Sequence, residues 1–420
     1  MLILFALLMA AAPDEPTRAF VGARLIDGTG KPAVEDAVLL VRGGRVVAAG
    51  PRAQVPVPAG AERIDLAGKT VMPGLVNAHG HVADTLGLKA APELNTPENV
   101  RRQLALYAPY GVTTVYSLGG DREPGFQARD AQEAPGLDRA RLLVAGPVIG
   151  GDTPQEALRN LDELVPKKPN VVKIRVDDNL GTVAKMTPAV YRAVIERAHQ
   201  RGLRVAAHVY YLDDAKGVLQ AGADYIAHSV RDREVDDELI RLLKQRDVCL
   251  CPTLMREVST FVYESEPDFF ADPFFLREAD PAVLEQLRDP KRQQGIRTSS
   301  AQTYKKSLET ASRNLKRLVD AGVRVAMGTD TGPPGRFQGY FEHLELELMA
   351  KAGLTPAQVL AAATGDAARC IGMAGKVGTL EPGAWADFLV LAKDPLQDVR
   401  HTRSLESVWI AGSRVPAKQP

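Results

Sequence analysis

Apolar residues recur along this chain with two different rhythms. From Phe20 to Gly74 they come in short runs broken by glycine. Ala37–Gly50 (AVLLVRGGRVVAAG) reads as a hairpin turning at Gly43-Gly44, and Glu62–Met72 (ERIDLAGKTVM) repeats the pattern. After Pro73, short β-branched runs alternate with amphipathic stretches of helical period, such as Pro188–Arg201 and Asp213–Ala221. The predicted strands are Leu75–His81, Thr113–Leu118, Leu142–Ile149, Val171–Val176, Arg204–Tyr210, Tyr225–Ser229, Val248–Leu254 and Arg324–Thr329. Eight strand–helix repeats over about 300 residues predict an α/β fold, a closed parallel (β/α)8 TIM barrel, over 74–376. An open doubly wound sheet would want a Gly-rich phosphate turn after an early strand, and none occurs. From Val377 the strand rhythm returns (VGTLEPGAWADFLVLAKDP, then SVWIAGSRV), so residues 18–73 and 377–417 are expected to form the two halves of one composite β-sandwich domain. An insertion at 256–300 separates the seventh and eighth strands, and at that end of a barrel it is expected to be lid-like, shaping a substrate pocket.

Composition narrows the picture further. The 420 residues are 45% hydrophobic and 25% charged, which excludes gross disorder, collagen and a coiled coil. Lys plus Arg and Asp plus Glu both number 52, so no global field favours nucleic acid or an anionic membrane, and neither is expected as a partner. A small-molecule substrate is expected, and a homo-oligomer is compatible with the sequence. Met1–Ala12 (MLILFALLMAAA) is uncharged, apolar and shorter than the about 20 residues that span a bilayer. Its small-residue end resembles the cleavage site of a signal peptide, although no Lys or Arg precedes the apolar stretch. The expectation is an exported, periplasmic protein, or a cytoplasmic one if this segment is not a working signal. Cys249, Cys251 and Cys370 are too few for a disulfide framework, and Cys249 and Cys251 read as buried thiols on one strand face.

The chemistry is concentrated at the predicted strand ends. His79 and His81 close the first strand, where period-two geometry points both rings to one side. His208 lies near the end of the fifth strand, His228 near the end of the sixth, and Asp330 follows the eighth. Barrel sites form at these C-terminal ends, so the five residues should converge, and such a donor set suits Zn²⁺. Lys173 lies in an apolar run on the fourth strand (VVKIRVDD), where a buried amine is costly unless paired or neutralised. A salt bridge would neutralise it. Reaction with CO2 would instead turn it into an anionic carbamate, a carboxylated lysine with two oxygen donors.

These residues in this order, with VMPGLVNAHGHV at the start and AAATGDAARCIGMAGKVGTLEPGAWADFLVLAKDP at the end, resemble the amidohydrolase superfamily. The resemblance is greatest to its imidazolonepropionase-like and metal-dependent dipeptidase branch, and it covers about residues 20 to 415. It implies a distorted barrel, a composite sandwich, and a metal-binding centre of two zinc or other divalent ions. His79, His81 and Asp330 would hold one ion, His208 and His228 the other, with carboxylated Lys173 and a hydroxide between them. The implied activity is hydrolysis of a C–N, amide-type bond in dipeptides, N-acyl amino acids or cyclic amides, with Asp330 as general base and then acid. A lactonase, esterase or phosphotriesterase on the same site is the alternative, ahead of a deaminase or a non-catalytic relative. Mononuclear deaminases of the superfamily carry Glu three positions after the fifth-strand His, where this chain has Tyr211. Tyr210 and Tyr211 are candidate donors to a reaction intermediate. Arg231 and Arg256 are candidate substrate contacts, with a rim salt bridge to Asp232 or Glu234 as the other reading of Arg231. His343 is a candidate support for the ligands, whereas His199 and His401 read as surface residues. The turns at 119–121 (GGD) and 146–151 (GPVIGG) read as strand ends lining the pocket.

Overall fold

The structure, a computed structural model, describes residues 16–82 and 84–416. Met1–Ala12 therefore lies outside the described residues. Among the described residues no helix is long and apolar enough to cross a membrane.

The two ends of the chain share one sheet of eight strands. Its order is Ser413–Arg414, Leu405–Ile410, Phe388–Leu391, Thr70–Pro73, Arg18–Leu25, Val34–Arg42 and Arg45–Pro51, with Glu62–Asp65 pairing alongside Arg18–Leu25. The join is antiparallel, Met72 opposite Leu389. Gly43 and Gly44 turn the predicted hairpin with φ of 58° and 73°, the sign that a two-residue primed turn requires. Phe388 and Trp409 stack with ring centres 5.5 Å apart, and Phe20 meets each edge-on at 4.9 Å.

The barrel follows the predicted strand order. Leu75–Gly80, Val112–Ser117 and Arg141–Val144 pair in parallel, as do Val172–Arg175, Val205–His208, Tyr225–Ala227 and Cys249–Cys251. The two groups join where Ile149 N–H donates to Lys173 O at 2.8 Å. The predicted eighth strand differs. Residues 324–331 form no continuous ladder: single bridges, Leu250 to Val325 and Gly80 to Thr331, and scattered backbone bonds join them to their neighbours, and Met327 N–H donates to Ala362 O in the following helical region. Arg141, fully buried on the third strand, ties barrel to sandwich by pairing with Asp387 at 2.8 Å under the Trp385 ring.

The 256–300 insertion folds into short helices that include Pro273–Leu276, Pro281–Leu287 and Pro290–Arg297. Each starts at an Asp-Pro pair, with Asp272, Asp280 or Asp289 accepting from the first turn. Phe270, Phe274 and Phe275 pack with Tyr110, Tyr340 and Phe341 into an aromatic cluster of their own. The segment is packed around this cluster.

One expectation is corrected. Cys249 is not a thiol but is bonded to Cys370, 121 residues on, and only Cys251 is free and buried. The strand pattern places Cys249 correctly inside the barrel. It carries no information about Cys370, which arrives on the helix Gly365–Cys370. Closing a loop of this length restricts the unfolded chain, so Cys370→Ala is expected to lower the unfolding free energy by up to roughly 5 kcal/mol. Chemical denaturation checks this, and a reductant should destabilise the wild-type chain towards the variant while leaving the variant unchanged.

Candidate active site

The strand ends deliver their side chains into one buried cluster. His79 and His228 have ring centres 4.5 Å apart, and His208 and His228 are 4.1 Å apart. Asp330 Oδ1 lies 2.8 Å from His81 Nε2 and 3.4 Å from His79 Nε2, and these three residues form a group that could hold a cation. Asp330 takes φ of 60° to reach them, and its backbone N–H donates to His79 O at 2.7 Å. Its other carboxylate oxygen pairs with Arg336, which the 331–336 loop curls back over it.

Each imidazole has a defined outer partner or none. His81 Nδ1 bonds Gly119 O at 2.9 Å, so Nε2 faces the cluster. His228 Nδ1 meets Thr253 Oγ1 at 2.6 Å, which leaves its Nε2. His208 is reversed: its Nε2 is held by Asp177 Oδ2 at 2.8 Å, which leaves Nδ1. His79 Nδ1 is buried without a partner. Burial is the main influence on the three most enclosed rings. It pushes His79 and His228 well below the ordinary histidine range and His208 down to about 3, so all three are neutral and hold lone pairs for a cation. Burial also opposes the charge on Asp330, but Arg336, His81 and His79 outweigh it and keep the carboxylate ionised.

Lys173 is the anomaly of the site. Its side chain is buried and Nζ has no hydrogen-bond partner. Burial lowers its amine to about 8, although Asp330 pulls the other way. An amine this close to neutrality can react as a free base, and carboxylation would supply the anionic oxygens that the cluster of imidazoles lacks. Neutral imidazoles beside an ionised carboxylate are a donor set that fits a divalent cation, with His79, His81 and Asp330 near enough to one another to share it.

Behind the ligands lies a second buried cluster that the sequence did not reveal. Glu342 Oε1 accepts from Asn77 Nδ2 at 2.6 Å, Thr329 Oγ1 at 2.7 Å and Thr331 Oγ1 at 2.8 Å, and Tyr107 bonds Thr331 at 2.8 Å. Asn77 precedes His79 by two residues, and the threonines flank Asp330. The cluster thus clamps the first strand to residues 329–331.

The predicted substrate contacts have other partners. Arg231 is buried, not at the rim, and it pairs neither with Asp232 nor with Glu234. Its Nη1 donates to Ser229 O at 2.7 Å and Val209 O at 3.0 Å, its Nε lies 2.8 Å from Glu257 without hydrogen-bond alignment, and Nη2 has no partner. Arg256 also pairs with Glu257, at 3.2 Å, and lies over the Tyr304 ring. Tyr210 bonds Ser307 at 2.6 Å, and Tyr211 donates to Asp178 at 2.9 Å, so neither hydroxyl points at the cluster through a defined bond. His343 is away from the ligands, held between Thr402 and Tyr110 O at 2.8 Å each. His199 pairs with Asp224, and His401 meets Asp394 O. In the predicted turns, Gly119 O orients His81, while Asp121 is buried and accepts from Ser117, Ala145 and Gly146.

Comparison with known proteins agrees with this geometry. The amidohydrolase family model matches residues 70–415. A 5-methylthioadenosine/S-adenosylhomocysteine deaminase of Symbiobacterium thermophilum is 28% identical, over 88% of this chain and 84% of that protein. An imidazolonepropionase of Geobacillus kaustophilus is 26% identical, over 85% of this chain and 84% of its own. Among solved structures, a prolidase candidate from Bifidobacterium longum superposes with a TM-score of 0.76 at 26% identity, covering 96% of this chain and 95% of that one.

The Glu342 cluster has a measurable signature. Burial outweighs its hydrogen bonds and raises Glu342 to about 7. The unfolded chain loses this proton near pH 4.3, so the contribution of Glu342 to stability is greatest below that value and falls as pH rises towards 7. Glu342→Gln should match the wild type at pH 4 and exceed it at pH 8, by up to about 3 kcal/mol. Urea unfolding at both pH values is the check, and a variant less stable at both would contradict it.

Proposed function

The chain belongs to the amidohydrolase family, whose members are hydrolases, and we propose that it is a two-metal enzyme cleaving an amide-type C–N bond in a small substrate. The observation that carries the reading is Lys173, a buried amine without a hydrogen-bond partner, close enough for its charge to act on His79, His208 and His228 and to feel Asp330. Addition of CO2 forms an N–C bond at Nζ and releases one proton, which leaves an anion where a cation would be expelled. His79, His81 and Asp330 would hold one cation, His208 and His228 the other, and carboxylated Lys173 would serve both. Two such cations, zinc by the donor set, supply an activated water and polarise the scissile carbonyl.

The chain's own residues supply the rest. The Asp330 carboxylate, kept ionised by Arg336, His81 and His79, takes the proton of the attacking water and delivers it to the leaving nitrogen. An amide needs that delivery, because its nitrogen leaves poorly as an anion. Arg231, buried with Nη2 unpartnered, and Arg256 beside it support a substrate that carries a carboxylate next to the scissile bond. Dipeptides and N-acyl amino acids have this shape. The packed insertion would form a wall of the pocket. The Cys249–Cys370 bond supports maturation in an oxidising compartment, as for an exported protein.

The test combines metal counting with turnover. Metal-free protein supplied with Zn²⁺ and bicarbonate should take up two ions per chain, and Lys173→Ala should take up fewer. The loaded wild type should release amine from some members of a library of dipeptides and N-acyl amino acids. Asp330→Asn should lower kcat by about 100-fold or more. Two bound ions with no amine released, but hydrolysis of lactones or phosphotriesters, would move the activity to those bonds.

A further inference from the structure

We propose that Asp177 is a positioning residue that fixes which nitrogen of His208 faces the cluster, an inference that rests on the metal-dependent reading of the site. Two residues of the strand segment VVKIRVDD matter to the site for different reasons. Lys173 is buried, and its charge acts on His79, His208 and His228. Asp177, two residues past the end of that strand, is buried and reaches the Nε2 side of the His208 ring at the end of the adjoining strand.

The carboxylate is held at both oxygens. Oδ1 accepts from Arg175 Nε at 2.7 Å, and Oδ2 lies 2.8 Å from His208 Nε2. An ionised carboxylate can only accept, so Nε2 carries the proton and Nδ1 keeps the lone pair. His208 is thereby set apart. In His81 and His228 the outer contact falls on Nδ1, with Gly119 O and Thr253 Oγ1, and Nε2 is the nitrogen left to the cluster. A carbonyl or hydroxyl orients those rings without charge. Asp177 alone among these partners brings a full negative charge to an imidazole.

Two consequences follow from elementary chemistry. A hydrogen bond to a carboxylate fixes the ring plane and makes the opposite nitrogen a stronger donor, and such outer partners are typically worth about 10- to 100-fold in metal affinity. The charge also adds attraction for a cation at His208. Both effects have the same sign, so loss of Asp177 weakens the site. Arg175 is half exposed and holds only the far oxygen, so its loss should matter less.

The experiment uses the full-length chain with ¹⁵N-labelled histidine, and Zn²⁺ as the probe. Nitrogen chemical shifts of metal-free wild type should show His208 with its proton on Nε2. In Asp177→Asn, whose amide can either donate or accept, that preference should be lost. Competition with a chromophoric chelator should then show one zinc equivalent bound about 10- to 100-fold more weakly in Asp177→Asn. Asp177→Glu should recover part of the loss, and Arg175→Met should lose less. The effect of Asp177→Asn should largely vanish in a His208→Ala background. A purely structural ion pair would lower thermal stability in both variants and leave zinc affinity unchanged, and that result would overturn the proposal. So would a wild-type His208 protonated on Nδ1. A wild-type chain that takes up no zinc would overturn the metal-dependent reading, and the role of Asp177 with it, whereas unchanged zinc affinity in Asp177→Asn would overturn the role of Asp177 alone.

Discussion

Closure of the barrel between its first strand and residues 324–331 is the constraint on which the rest of the site depends. His79 and Asp330 are some 250 residues apart, yet Asp330 N–H donates to His79 O, and Ala78 N–H donates to Met327 O. The seam is not a regular ladder. It is held by scattered backbone bonds and by the buried Glu342 cluster behind it. Gly328 and Gly332 permit the close approach. A Cβ on Gly332 would lie 2.1 Å from His81 O, and one on Gly328 would lie 2.7 Å from His79 N. Bulk at either position would push the ligand carboxylate away from its imidazoles.

The site is costly to fold. It removes from water an amine without a partner, a carboxylate and several imidazoles, and the burial opposes every charge among them. The surrounding structure offsets this through fixed partners. Arg336 and two imidazoles stabilise Asp330, Thr253 and Gly119 take up the outer nitrogens, and Asp177 holds His208. Lys173 Nζ and His79 Nδ1 stay buried without a partner, so the surroundings do not offset their burial.

Much of this was legible before the structure. Strand and helix rhythm located seven of the eight barrel strands and the shared sandwich, because burial on alternate faces leaves a period-two record in the residues. The convergence of His79, His81, His208, His228 and Asp330 followed from one rule, that parallel strands of a barrel end on the same face. The eighth strand was misread as regular because apolar residues at 324–329 fit either a ladder or the looser seam. The Asp-Pro pairs that start the insertion helices were in plain view as caps.

The sequence by itself determined the architecture and the identity of the cluster's donors. Tertiary structure alone decided the partners of the buried charges: Glu257 between Arg231 and Arg256, Glu342 on Asn77 and the threonines, Asp177 on His208, and Cys370 on Cys249. The reason is physical. Periodicity records which face of an element is buried, and that is a local property. A hydrogen bond or a disulfide requires two groups to meet within a few tenths of an ångström, and that depends on how helices and loops distant in the chain pack around the closed barrel.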